Sequence, residues 1–217
     1  MTDLLRCKAV IFDFDGTLAD SMPFLEMIGV QIFMKYYGVT KEDAIQRYRS
    51  TTGLPYEHQI EMNFPNNGKN KDATEEFEHL KIERIFEQEL FPETEKALKE
   101  LESKKIDVFV SSSTFQPTII KYFEKRGLSH HFKEILGYRP GFEKGADHFN
   151  HISDEHQISM KDVVFVGDSL KDFERSQGFC RFIGITGIFS QEDYRNKGHS
   201  GCVVNSIGEV PRHLEAV

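Results

Sequence analysis

Asp13-Phe14-Asp15-Gly16-Thr17 follows the apolar run Ala9-Val10-Ile11-Phe12, and the reading of this stretch decides the fold. A short apolar run that ends in carboxylates and Gly predicts a strand buried on both faces. In extended backbone, residues two apart point the same way, with α-carbons about 6.5 Å apart. Asp13 and Asp15 therefore share one side, and Phe14 turns into the core. Two carboxylates on one rim repel each other unless a cation or a proton sits with them. The pattern implies a divalent metal, a carboxylate nucleophile with a nearby acid/base partner, or both; an ordinary acidic turn is the plainer alternative. A calcium EF-hand loop is excluded, because the sixth position from Asp13 is Leu18 instead of Gly and the twelfth is Phe24 instead of Glu.

Three further stretches bear on the choice. Ile106-Asp107-Val108-Phe109-Val110 reads as a short strand ending in Ser111-Ser112-Ser113. Lys144 opens a helical stretch after the turn Arg139-Pro140-Gly141. Val163-Val164-Phe165-Val166 reads as another buried strand, ending in Gly167-Asp168-Ser169-Leu170-Lys171-Asp172. With these four elements in this order, the chain resembles the haloacid dehalogenase superfamily, in its branch of phosphoglycolate phosphatases and β-phosphoglucomutases. The family's marks are DxDGT, a Ser or Thr after the second strand, a Lys, and GD followed by another Asp. They span residues 13 to 172 here, so the resemblance covers essentially the whole chain.

The bulk properties narrow the partners. A chain of 217 residues with 39% hydrophobic content can build one full core and a smaller lobe. The net charge is -8 and there is no long run of Lys or Arg, which argues against nucleic acid and anionic membranes. No stretch approaches the roughly 20 apolar residues that span a bilayer. The first strand begins within about ten residues of Met1, which leaves no room for a signal peptide. Cys7, Cys180 and Cys202 are too scattered for a zinc site and odd in number, which suggests a reduced, cytoplasmic setting.

Strands and helices alternate after residue 91, which predicts an α/β fold with a parallel sheet between helices. Strands are expected at 8 to 13, 106 to 111, 133 to 137, 162 to 167 and 181 to 185, with a weak one near 202 to 204. Helices are expected at 93 to 103, 117 to 126, 144 to 157 and 170 to 178. Pro117 suits a first helical turn and Gly127 the position just past the end. Ligands in such sheets sit beyond the carboxyl ends of the strands, where Asp13, Ser111 and Asp168 fall. Residues 20 to about 90 show helical periodicity instead. One helix is expected from Pro23 to Tyr37, with Asp20 and Ser21 as its cap, and another from about 73 to 90 burying Phe77, Leu80, Ile82, Ile85, Phe86 and Leu90. The polar stretch Asn66 to Lys71 reads as a surface loop. The resemblance makes residues 20–89 an all-helical C1 cap that closes over the active site. The Rossmann-like core is then discontinuous, 1–19 with 90–217.

The resemblance also implies roles. Asp13 matches the nucleophile that forms an aspartyl-phosphate. Asp15 matches the acid/base, and its backbone carbonyl helps to hold magnesium with Asp13 and Asp168, while Asp172 supports from close by. Ser111 matches the hydroxyl that bonds the phosphoryl oxygen, and Lys144 the cation that neutralises nucleophile and phosphate. Gly16, Thr17 and Ser112 fall beside them in the phosphate-binding segments. The stretch Arg47 to Pro55 resembles the family's specificity loop, which nominates Arg47, Arg49, Thr52 and Gly53 for substrate selection. Being two apart on a helix, Arg47 and Arg49 lie on different faces. Lys144 is followed by Gly145-Ala146 where many relatives are Pro-rich, so Lys133, Lys161 and Arg139 compete for its role. His148, His151 and His156 lack a carboxylate or Cys at a diagnostic spacing, so a solvated helix face is the expectation for them. Neither GxGxxG nor GxxxxGK[ST] occurs.

The expected activity is magnesium-dependent hydrolysis of a small phosphorylated metabolite by a monomer or weak dimer. A sugar phosphomutase resembling β-phosphoglucomutase would use the same core residues, and a binding protein on the same scaffold is the alternative outside enzymes.

Overall fold

The computed structural model describes residues 4–217, which form two compact units, one of residues up to Ala19 with Leu90–Val217 and one of Asp20–Glu89. In chain order the first unit contains β1 (Leu5–Cys7), β2 (Ala9–Phe12), then after the second unit α5 (Thr94–Ser103), β3 (Asp107–Phe115), α6 (Gln116–Lys125), β4 (Glu134–Tyr138), α7 (Ala146–His156), β5 (Val163–Gly167), α8 (Leu170–Ser176), β6 (Arg181–Ile185), α9 (Gln191–Asn196), β7 (Val203–Val204) and β8 (Leu214–Ala216). The second unit holds α1 (Met22–Tyr37), α2 (Lys41–Thr51), α3 (Tyr56–Asn63) and α4 (Asn70–Arg84).

Six strands pair in the order β4-β3-β2-β5-β6-β7, and every pairing is parallel. Parallel pairing needs long crossovers, and the alternating helices supply them. The register places Phe12 opposite Val110 on one side and Val166 on the other. Ile11, Phe109, Val163 and Phe165 are buried in one cluster with Phe149 of α7, Phe173 of α8 and Tyr194 of α9. Their strand neighbours Val10, Phe12, Val108, Val110, Val164 and Val166 point the opposite way and are also buried. Both faces are thus covered, which explains why these strands lack polar alternation.

Two very short strands, β1 and β8, pair in parallel, and neither was anticipated. Three residues each are too few for a periodic signal. β3 runs to Phe115, four residues past the expected end, with a register irregularity between Ser111 and Phe115.

The helical unit has its own core of Phe24, Leu25, Ile28, Phe33, Ala44, Tyr48, Tyr56, Ile60 and Phe77. The helix expected at 73 to 90 is instead α4 followed by a 3-10 turn at Ile85–Glu87. It begins within the stretch expected to be loop. Its buried stripe is Ala73, Phe77, Lys81 and Ile85, spaced by four. Ile82 is therefore turned outward and exposed, against expectation. Ser21 sits at the start of α1, but its side chain does not cap the helix. No helix among the described residues is long and apolar enough to cross a membrane. Cys7, Cys180 and Cys202 are unbridged.

Candidate active site

The sheet register builds the site. Asp13 follows the last paired residue of β2 and continues the ladder, its N–H donating to the Val166 carbonyl at 2.9 Å. Ser111 on β3 and Gly167 at the end of β5 occupy the matching row, so Asp13, Ser111 and Asp168 emerge together at the carboxyl edge. Gly167 has a steric reason. A Cβ there would fall 2.7 Å from the Cβ of Asp172, so a side chain would displace that carboxylate.

Lys144 is the cation that reaches this edge. Its Nζ lies 2.8 Å from Asp13 Oδ1 and 2.6 Å from Asp172 Oδ1, and all three side chains are buried. Lys133 instead pairs with Asp107, and Arg139 covers the Phe142 ring. Gly145, directly after Lys144, has φ 112 and packs against Arg175. Proline is locked near −65°, so a Pro-rich segment cannot make this turn.

The charges do not balance. Oxygens of Asp13, Asp168 and Asp172 lie within 4.8 Å of one another. Against these three carboxylates stand, among the described residues, two cations, Lys144 and Arg175, and both bond Asp172. Burial would raise Asp172, but Lys144 and Arg175 outweigh it and hold its carboxyl below the usual range. Asp168 forms no ion pair among the described residues, and burial, reinforced by the charges of Asp13 and Asp172, lifts it well above the usual range. Burial likewise pushes Asp13 up to about 6, with Lys144 opposing. An excess of buried negative charge from hard oxygen donors suits a divalent cation such as magnesium. Asp13 and Asp168 are the carboxylates placed to hold one, with Asp172 fixed beside them.

The other expected residues occupy defined places. Asp15 accepts a hydrogen bond from the Thr114 hydroxyl at 3.0 Å. Ser112 is buried, and its hydroxyl oxygen accepts from the Thr114 N–H at 3.0 Å. Gly16 spends its N–H on the Ala19 carbonyl. Thr17 is buried, and its Oγ1 has no hydrogen-bond partner among the described residues. Within the helical unit, Arg49 makes a bidentate pair with Glu26, at 2.6 and 2.9 Å. Arg47 bonds Asp43 and the Asn63 carbonyl and lies over Phe64. Thr52 is buried and donates to the Tyr48 carbonyl, and Gly53 lies in the turn after α2.

The histidines correct the sequence reading. His148 is fully buried, not solvated, and its Nδ1 lies 2.8 Å from Ser111 Oγ. His151 and His156 both bind Glu134, at 2.9 and 2.8 Å, through its two carboxylate oxygens. Nothing local in the sequence marks these contacts, since Ser111 and His148 are 37 residues apart. Thr114 and Arg175 were likewise not singled out, because their partners are set by the fold.

Comparison with known proteins places these observations. Residues 10–181 match the family model described as haloacid dehalogenase-like hydrolase. A haloacid dehalogenase-like hydrolase domain-containing protein of Arabidopsis thaliana is 28% identical, aligned over 97% of this chain and 84% of that protein. A phosphoglycolate phosphatase of Vibrio parahaemolyticus is 21% identical over 94% of each chain. The structure of a haloacid dehalogenase-like family hydrolase from Streptococcus pneumoniae superposes with a TM-score of 0.81 at 24% identity, covering 95% of this chain and 98% of that one. With the family model covering most of the chain and the parallel sheet presenting its carboxylates at one edge, this protein belongs to the haloacid dehalogenase-like hydrolases.

Proposed function

We propose that this hydrolase is a magnesium-dependent phosphatase that cleaves a small phosphorylated metabolite through an aspartyl-phosphate. The observation that carries the reading is the buried ammonium of Lys144 shared between Asp13 and Asp172, beside the uncompensated Asp168. Such esters hydrolyse so slowly unaided that an enzyme must supply roughly 20 kcal/mol. A nucleophile, a leaving-group acid and dense positive charge are all needed.

Each residue has a part in that scheme. Asp13 attacks phosphorus while the ester oxygen departs and takes a proton from Asp15. Asp15 then removes a proton from water, whose oxygen attacks the phosphoryl group, releasing inorganic phosphate and restoring Asp13. Lys144 and the Ser111 hydroxyl stabilise the transferred oxygens, with Ser112, Gly16 and Thr17 lining the phosphate segments. The unpartnered Thr17 Oγ1 suits such a role. Magnesium, held by Asp13, Asp168 and the Asp15 carbonyl with Asp172 in support, would supply positive charge to the phosphoryl group. The segment from Arg47 to Pro55 is proposed to select the substrate, through Arg47 or Arg49 with Thr52 and Gly53. The relatives named phosphoglycolate phosphatase support a small anionic ester as substrate. We place the enzyme in the cytoplasm as a monomer or weak dimer, with neither nucleic acid nor membrane as partner.

An initial-rate screen with magnesium tests this, using an aryl phosphate, sugar phosphates, phosphoglycolate and nucleoside monophosphates. Phosphate release from at least one ester is expected. Inert behaviour by folded protein toward the whole panel would overturn the reading, and a requirement for a bisphosphate would replace it with a phosphomutase.

A further inference from the structure

Ser111 and His148 form a buried pair that the catalytic scheme above leaves unexplained. Both are fully buried, with Ser111 Oγ 2.8 Å from His148 Nδ1. The His148 ring lies 4.6 Å from that of Phe142, and its Nε2 is buried without a hydrogen-bond partner among the described residues. Burial pushes the imidazole down to about 4, with the Gly137 backbone opposing, so it is neutral near pH 7. A neutral imidazole carries one N–H, on either nitrogen.

The two tautomers have opposite consequences for Ser111. With the proton on Nε2, a buried N–H has no acceptor in hydrogen-bond geometry among the described residues, and Ser111 must donate to Nδ1. Its hydroxyl then offers only lone pairs to an anionic phosphoryl group. With the proton on Nδ1, that N–H donates to Ser111 Oγ and the orphan is a bare lone pair. Among buried backbone groups, unpartnered N–H donors are rarer than under-satisfied C=O acceptors, and the same preference is carried here to the imidazole. We propose that His148 is a positioning residue whose Nδ1–H donates to Ser111, leaving the hydroxyl proton free to donate to a phosphoryl oxygen. The inference rests on the phosphatase reading for its function but on the buried pair for its geometry.

Two measurements test it. Nitrogen NMR of wild-type protein labelled in its histidines, with His148→Asn for assignment, reads the tautomer directly. A protonated Nδ1 and a bare Nε2 are expected, and a protonated Nε2 overturns the proposal. The second is a double-mutant cycle with an aryl phosphate. His148→Leu should lower kcat about 10- to 100-fold with KM little changed, less than the roughly 10²–10³ for deleting a donor outright. In a Ser111→Ala background the same substitution should change kcat by less than about twofold. His148→Asn, whose amide can donate from near the Nδ1 position, should recover most of the rate. An equal loss in both backgrounds means a merely structural His148 and overturns the proposal. If His148→Leu does not fold, the cycle is run with His148→Asn and His148→Gln, and Asn falling no closer to wild type than Gln overturns it. Inactivity of wild type toward every ester would sink the phosphatase reading, while the tautomer would still decide His148.

Discussion

The Thr114 hydroxyl donates to Asp15 Oδ2 at 3.0 Å, joining residues 99 apart in the chain. Thr114 lies within the register irregularity of β3, between Ser111 and Phe115, and its own N–H bonds Ser112. This turn therefore sets the orientation of the proposed acid/base. General acid/base catalysis contributes roughly 10²–10⁴-fold, and a misdirected carboxyl forfeits part of that. Thr114→Val should lower kcat about tenfold with KM little changed, and Thr114→Ser should stay near wild type. Steady-state kinetics of both variants decide the matter; an unchanged Thr114→Val leaves Asp15 positioned by other contacts.

Asp13→Asn should abolish turnover without unfolding the protein. Lys144 keeps its 2.6 Å contact with Asp172, so no buried ammonium is left unpaired. Wild-type Asp13 is ionised near pH 7 although burial opposes that state, so the neutral amide should leave the melting temperature unchanged or higher in metal-free buffer. Retention of more than about a hundredth of the wild-type rate would remove Asp13 as nucleophile.

Magnesium should raise the melting temperature of wild type, because it relieves repulsion among Asp13, Asp168 and Asp172 and binds the folded state. Asp168→Asn should remove most of that shift. Chelator should abolish hydrolysis and magnesium restore it. Thermal melts with and without the ion read the binding independently of activity, and equal shifts in wild type and Asp168→Asn would exclude Asp168 as a ligand.

The share of stability that depends on His148 should fall as pH drops from about 6.5 to about 4, opposite in sign to the shares of Asp13 and Asp168, whose carboxyls burial holds up. In the folded state His148 is pushed down to about 4 by burial, amid Lys144, Asp147 and His151. The unfolded chain binds the proton first in that window, so its share of the stability is complete above about 6.5 and lost toward 4. The contribution is at most roughly 3 kcal/mol, from 1.36 kcal/mol per pKa unit. Denaturant unfolding across the window should show a smaller loss in His148→Asn, and parallel curves would contradict this.

The parts of the site legible in the sequence are those whose signal is local. Asp13 and Asp15 stand out because two carboxylates and a Gly directly after a buried apolar run form a pattern confined to a few residues. Asp168 stands out for the same reason after β5, and Lys144 became recognisable only through its family motif. His148 was misread because i and i+3 spacing reports a shared helix face, not what that face meets. Its partner is on β3, and only the crossover brings them together. Ile82 failed similarly. Both it and Lys81 fit a helix, and packing chose the lysine for the inner stripe.

The edge that carries Asp13, Ser111 and Gly167 is aligned by main-chain pairing, which is indifferent to the identity of the side chains behind it. An exchange that keeps the core volume, such as Ile11 for Leu, should cost less than about 1.5 kcal/mol and leave the row in place. Removing one residue from within β5 would do the opposite. It would invert every following side chain and carry Asp168 to the other face. Inheritance can thus vary the interior at constant volume, while the spacing of each strand and the few site residues just beyond it are what selection has to hold fixed.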